Sequence, residues 1–154
     1  MTSQRDAVAV FLPLAVAAAT TLCTIFIHAL ALSAIVHFIR RERRLGRAGV
    51  TFWKDVSIVA VASLVALTAH LVEIALWALI FVLCGQFTNF APALYHSAEN
   101  YTTLGYGDVV MSTSWRLLGP LEAADGMLMF GITTAMIFAV IQRLLEARFS
   151  DSDG

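Results

Sequence analysis

The run TTLGYGD, Thr102 to Asp108, sets two glycines around a tyrosine and ends on a carboxylate. It has little to bury and much main chain to expose, so its chemistry lies in the backbone. Gly105 and Gly107 accept φ > 0, which lets successive carbonyls point to one side. Carbonyl oxygens gathered on one side are ligands for a dehydrated cation. Two carboxylates flank the run: Glu99, four residues before Thr103, and Asp108 directly after Gly107. Five extended residues cover about the height of two to three helical turns, so the two carboxyls are expected to meet behind the run; the alternative is a Glu99 that faces the external side and only adds negative potential. In contact the two carboxyls cannot both stay ionised cheaply, and a shared proton would bind them.

Such a loop needs elements to hold it. Pro92 suits the first turn of a helix, and residues 92–102 fit a short helix of roughly 16 Å, half a membrane thickness. The 154-residue chain is 59% hydrophobic with a mean hydropathy of +0.79, more apolar surface than a soluble domain of this size hides. Lipid is therefore part of its solvent. A net charge of −1 argues against a nucleic-acid partner. Cys23 and Cys84 sit in apolar runs without metal-ligand spacing and read as small buried hydrophobes.

Three hydrophobic segments run over about residues 7–39, 56–84 and 117–145. Each exceeds the roughly 20 residues that cross a hydrocarbon core, and the excess implies tilt or helix beyond the membrane surface. Pro13, Pro92 and Pro120 punctuate the segments and leave the mid-spans free of proline. No internal repeat or soluble domain stands out. Between the first two segments, RRERRLGRAGVTFWK carries Arg40, Arg41, Arg43, Arg44, Arg47 and Lys54. This loop is placed in the cytoplasm by the positive-inside rule, which puts the amino terminus outside and the carboxyl end inside. HALALSA holds an Ala-x-Ala, but its apolar run is too long for a cleaved signal and a basic anchor follows, so a retained helix is expected. Segments two and three then both end outside around residues 85–117, and that stretch must dip into the membrane and return. Non-helical backbone survives there only against protein or a wet cavity.

Thr103-Leu104-Gly105-Tyr106-Gly107, with Asp108 after it, resembles the selectivity filter of potassium channels, Thr-Val-Gly-Tyr-Gly. From Tyr101 to Asp108 the one departure is leucine for valine at position 104, which alters packing behind the loop but keeps its carbonyl. Tyr106 is the aromatic that related non-selective channels lose. The resemblance covers residues 56–149: outer helix, pore helix, filter and inner helix. It implies K⁺ as the permeant ion, bound by the backbone carbonyls of Thr103, Leu104, Gly105 and Tyr106, with the Thr103 hydroxyl as the innermost ring. One filter per chain implies a homotetramer, passive conduction and no enzymatic activity. Glu99 and Asp108 resemble a carboxyl pair that braces the filter in some bacterial potassium channels. Gly131 resembles the hinge of the inner helix, and Ile132, Ala135, Met136 and Ala139 share a face at helical spacing assigned to the cavity and gate. The alternatives are a non-selective monovalent cation channel and, from another class, a subunit of a potassium transporter; such transporters carry four filter repeats in one long chain.

The expected organisation is an all-α, multi-pass protein of the cell membrane, with three transmembrane helices and a re-entrant pore helix. Residues 1–39 form an extra transmembrane helix, 40–55 a basic cytoplasmic loop, 56–149 the pore domain and 150–154 a cytoplasmic tail. Segment one lacks arginine at every third position and so shows no voltage sensor. It is expected to pack on the outer helix, its basic end meeting anionic lipid. No ligand-binding domain is expected after the inner helix. Glu73 shares a helix face with His70 and Trp77, and an ionised carboxylate at mid-span costs roughly 2.5–3.5 kcal/mol. Packing against segment one is expected to bring Thr20, Thr21 and Thr24 to its depth. Glu73 reads either as part of a proton-sensitive pair or as a protonated, hydrogen-bonded group that fixes helix register. Glu122 and Asp125 have the same two readings. His28, His37 and His96 read as ordinary polar or interfacial residues.

Overall fold

The computed structural model describes residues 2–47, 49 and 51–150, with side chains for 10–47, 49 and 51–148. It is all-helical: α1 (Thr2–Arg44), α2 (Phe52–Leu83), α3 (Phe90–Tyr101) and α4 (Leu118–Ser150). Three of these helices, over Val10–Arg44, Phe52–Leu83 and Leu118–Arg148, are long and apolar enough to cross a membrane. Large apolar side chains lie bare along them, including Phe11, Leu22, Phe26, Leu64 and Phe138. Such surface is stable against lipid and not against water.

The helix ends follow local chemistry. Arg41, Arg43 and Arg44 occupy the last turn of α1, where cations complement the helix dipole. Gly46 then turns the chain out at φ 63, as a left-handed residue after a helix does. Gly85 does the same after α2 at φ 70, with the Gln86 N–H returning to the Phe81 carbonyl at 3.0 Å. Pro120 stands in the first turn of α4, where its missing N–H costs no bond.

The helices extend beyond the hydrophobic segments. Arg40 to Arg44 continue α1 instead of opening a loop, because arginine is a good helix former. Of the expected 40–55 loop, residues 40–44 belong to α1 and residues 52–55 to α2. Pro13 lies inside α1 rather than at its start. The expected tail lies, from residue 151 on, outside the described residues.

The chain divides into two compact units. In the unit Met1–Phe26 with Leu71–Met129, Trp77, Phe81, Tyr101, Leu118 and Met129 pack with Ala17, Ala78 and Ala93. Gly126 of α4 lies against the end of α3: a Cβ there would stand 2.1 Å from the Tyr101 carbonyl oxygen. Only glycine permits that approach. In the unit Ile27–His70 with Phe130–Gly154, Ile35, Ile39, Ile58, Val140 and Leu144 close over Ala62 and Ala66. There Arg148 donates to Asp55 at 2.8 Å, and the Gly49 N–H donates to the other Asp55 oxygen at 2.9 Å.

Candidate functional site

α3 opens after Asn89, an extended residue at φ −127 and ψ 149, and buries Ala93, His96, Ser97, Glu99 and Tyr101. The loop that leaves it is tied down by its amides. The N–H groups of Thr102, Thr103 and Leu104 donate to the carbonyls of Ala98, Asn100 and Glu99 at 3.1, 2.8 and 2.8 Å, and Gly105 also reaches Glu99 at 3.3 Å. Every second residue then has positive φ: Thr103 at 60, Gly105 at 57 and Gly107 at 74. Alternating handedness lets successive carbonyls point to one side. At a β-branched threonine, that geometry costs on the order of 1–3 kcal/mol and marks a functional constraint.

Among the described residues, no carbonyl of residues 103–107 accepts a hydrogen bond. Residues 102–108 are exposed, Leu104 at 56% and Tyr106 at 70%. The loop thus offers a row of unsatisfied main-chain oxygens, the ligand type that replaces a cation's water.

Among the described residues Glu99 and Asp108 are not hydrogen-bonded to each other. Tyr95, one turn before Glu99, donates its hydroxyl to Asp108 Oδ2 at 3.2 Å. Desolvation, then the neighbouring Glu99 and Asp108 carboxyls, push Tyr95 up to about 12. Glu99 is buried, and its Oε1 has no partner among the described residues. It borders a cavity of about 260 Å³ that also touches His96, Gly105, Gly107 and Arg116. His96 packs between Phe81 and Phe87, with ring centroids 5.6 and 5.3 Å away. Burial lowers its pKa from 6.5. It is a core residue, not an interfacial one.

Behind α3 lie three buried carboxyls. Glu73 accepts from the Tyr101 hydroxyl, which burial and then Glu73 push well above its usual range and so keep as a donor. Asp125 accepts from Thr24 at 2.9 and 3.1 Å and from Trp77 Nε1 at 2.9 Å. The threonine expected near Glu73 therefore serves Asp125, while Thr20 folds back onto the Val16 carbonyl at 2.9 Å. Ser97 Oγ lies 2.8 Å from the Ile74 carbonyl and 2.5 Å from Glu122 Oε1. One hydroxyl proton cannot fill both contacts, and Glu122 Oε2 has no partner among the described residues. The hydrogen bonds of Tyr101 to Glu73 and of Trp77 and Thr24 to Asp125 fix helix rotation and register.

In the other unit, His70 Nε2 lies 3.0 Å from the Thr133 hydroxyl, and His28 Nε2 lies 3.1 Å from the same oxygen. His28 is buried and is not interfacial. His37 bonds the Ser33 carbonyl at 2.7 Å on the exposed side of α1. Gly131 sits in an unbroken stretch of α4, and a Cβ there would meet nothing within 4 Å. Ile132 and Ala135 are exposed, whereas Met136 and Ala139 are half-buried.

Sequence reasoning missed Tyr95, Ser97, Gly126 and the Trp77–Asp125 contact. The only signal was composition: a tyrosine, a serine and a glycine on helices that also carry buried acids.

Residues 69–143 match the family model described as an ion channel. No curated protein and no solved structure matches the chain. The family is one of channels, not of enzymes, and the match spans the second half of α2, α3, the glycine loop and most of α4. With three helices able to cross a membrane, this similarity supports a passive ion channel and a multi-pass membrane protein.

Proposed function

We propose that the chain is a subunit of a potassium-selective channel, four copies of which surround a pore and conduct K⁺ passively across the cell membrane. In this reading α3 is the re-entrant pore helix. The carbonyls of Thr103, Leu104, Gly105, Tyr106 and Gly107 form stacked oxygen rings, with the Thr103 hydroxyl at their inner end. The observation that carries it is the alternating positive φ at Thr103, Gly105 and Gly107 beside carbonyls that accept no hydrogen bond. A lone loop gains nothing from such a conformation, whereas four around an axis match the hydration shell of one ion size. α3 points its carboxyl end toward the inner end of the loop, which favours a cation there. Glu99, one turn after Tyr95, and Asp108, which accepts from the Tyr95 hydroxyl, brace the loop from behind.

The remaining assignments follow from this frame. The α1–α2 connection and the end of α4 lie in the cytoplasm, and the amino terminus outside. Gly131 is the hinge, and Ile132 and Ala135, exposed on α4, border the inner cavity and gate; Met136 and Ala139 line a cavity toward α1 instead. Flux into liposomes loaded with K⁺ or Na⁺ tests the reading. Uptake of K⁺ and not Na⁺ is expected. Equal uptake favours the non-selective channel, and no passive uptake of either ion refutes a pore.

A further inference from the structure

We propose that a cavity at the basic end of α1 binds an anionic phospholipid, whose phosphate is held by Arg40, Arg43 and Arg143. The cavity measures about 210 Å³ and lies within the unit Ile27–His70 with Phe130–Gly154. α1 contributes Val36, Ile39, Arg40 and Arg43, spaced i, i+3, i+4 and i+7. α4 contributes Met136, Ala139, Val140 and Arg143 at the same spacing. Along each helix the wall changes from alkyl to guanidinium within about 10 Å. That gradient is the one a phospholipid carries from acyl chain to headgroup.

Charge singles out the occupant. Three arginines converge on the cavity, and no carboxylate lines it. Among the described residues, none of the three takes part in a salt bridge; the pairs formed nearby are Arg47–Glu42 and Arg148–Asp55. Converging cations at a membrane surface repel one another until an anion joins them. Arginine presents a donor fork that fits phosphate oxygens, and a basic pocket between spanning helices suits a lipid phosphate. The volume holds a headgroup and not a whole lipid, so the acyl chains leave along the apolar half of the wall, past Met136 and Ala139. A zwitterionic lipid offers the same phosphate but brings its own cation, which the three arginines repel. This site shares no residue with the glycine loop and does not depend on which ion the pore passes.

The test is native mass spectrometry of the full-length protein in detergent, titrated with phosphatidylglycerol, phosphatidylcholine or inorganic phosphate. Phosphatidylglycerol is expected to bind and phosphatidylcholine much less. The triple variant Arg40→Gln/Arg43→Gln/Arg143→Gln should weaken phosphatidylglycerol by at least about tenfold, while Arg47→Gln, outside the cavity, should leave it unchanged. Ala139→Trp, which fills the wall without altering charge, should also displace it; this second variant decides if the triple one does not fold. Equal binding of both lipids overturns the proposal, as does equal loss in Arg47→Gln. Arginine-dependent binding of inorganic phosphate as tight as that of the lipid overturns the lipid assignment in favour of a free-anion site.

Discussion

Two glycines five residues apart on α4 should respond to alanine with opposite signs. A Cβ on Gly126 would stand 2.1 Å from the Tyr101 carbonyl oxygen, 2.9 Å from its carbonyl carbon and 3.1 Å from its Cγ. Ordinary contact begins near 3.4 Å, so α4 and the end of α3 must separate by more than an ångström. Overpacking of this kind costs about 1–3 kcal/mol. The displaced residue also donates to buried Glu73, and loosening such a bond costs about 1–3 kcal/mol more. Taking about 3 kcal/mol per chain, Gly126→Ala should lower the melting temperature by about 6–12 °C. Gly131 meets nothing within 4 Å and sits in helix interior, where alanine is better than glycine by roughly 0.5–1 kcal/mol. Gly131→Ala should therefore raise the melting temperature by about 1–4 °C. Thermal unfolding in detergent, followed at the helical circular-dichroism band, reads both. If Gly126→Ala melts within about 2 °C of the unmodified protein, the close packing of α4 on Tyr101 is wrong.

Gly107 at φ 74 has open space around its Cα, so Gly107→Ala should cost only about 1–2 kcal/mol of backbone strain. Melting should fall by about 2–8 °C while selective K⁺ flux is lost; retained selectivity would separate the loop from permeation. Glu122→Gln keeps a neutral hydrogen-bonding group beside Ser97 and should stay within about 1 kcal/mol of the parent, whereas Glu122→Ala should lose about 1–3 kcal/mol. A large loss in the glutamine variant would show that the charged form is required. The lowered pKa of His96 favours its neutral form in the fold, so its contribution is complete above pH 6.5 and is lost as the pH falls below that. The raised pKa of Tyr95 keeps its contribution complete below pH 10 and removes it between 10 and about 12. Melting temperature against pH should fall on both sides, and His96→Gln should flatten the acid limb. An unchanged acid limb in that variant would exclude His96 as its source.

Much of the helical plan is legible in the sequence because its causes are local. Uninterrupted apolar runs mark α1, α2 and α4, and Pro92 marks α3 within two residues of its start. The positive φ at Gly105 and Gly107 is legible too, since no other residue adopts it so readily. The same angle at Thr103 is not, because nothing in a threonine announces it. The polar contacts between helices are also illegible. That Thr24 meets Asp125 and Tyr101 meets Glu73 depends on the rotation of each helix, which the packing of Gly126 on α3 sets. Tyr95 was hidden for a related reason: i−4 spacing brings it to Glu99, but its reach to Asp108 depends on the path of the loop.

The carbonyls of residues 103–107 are proposed to select K⁺. This selection is tested most directly by the reversal potential of purified protein in a planar bilayer, with K⁺ on one side and Na⁺ at equal concentration on the other. A displacement of at least about 59 mV toward K⁺, a tenfold permeability ratio for a monovalent ion, is expected. Reversal near zero would contradict it.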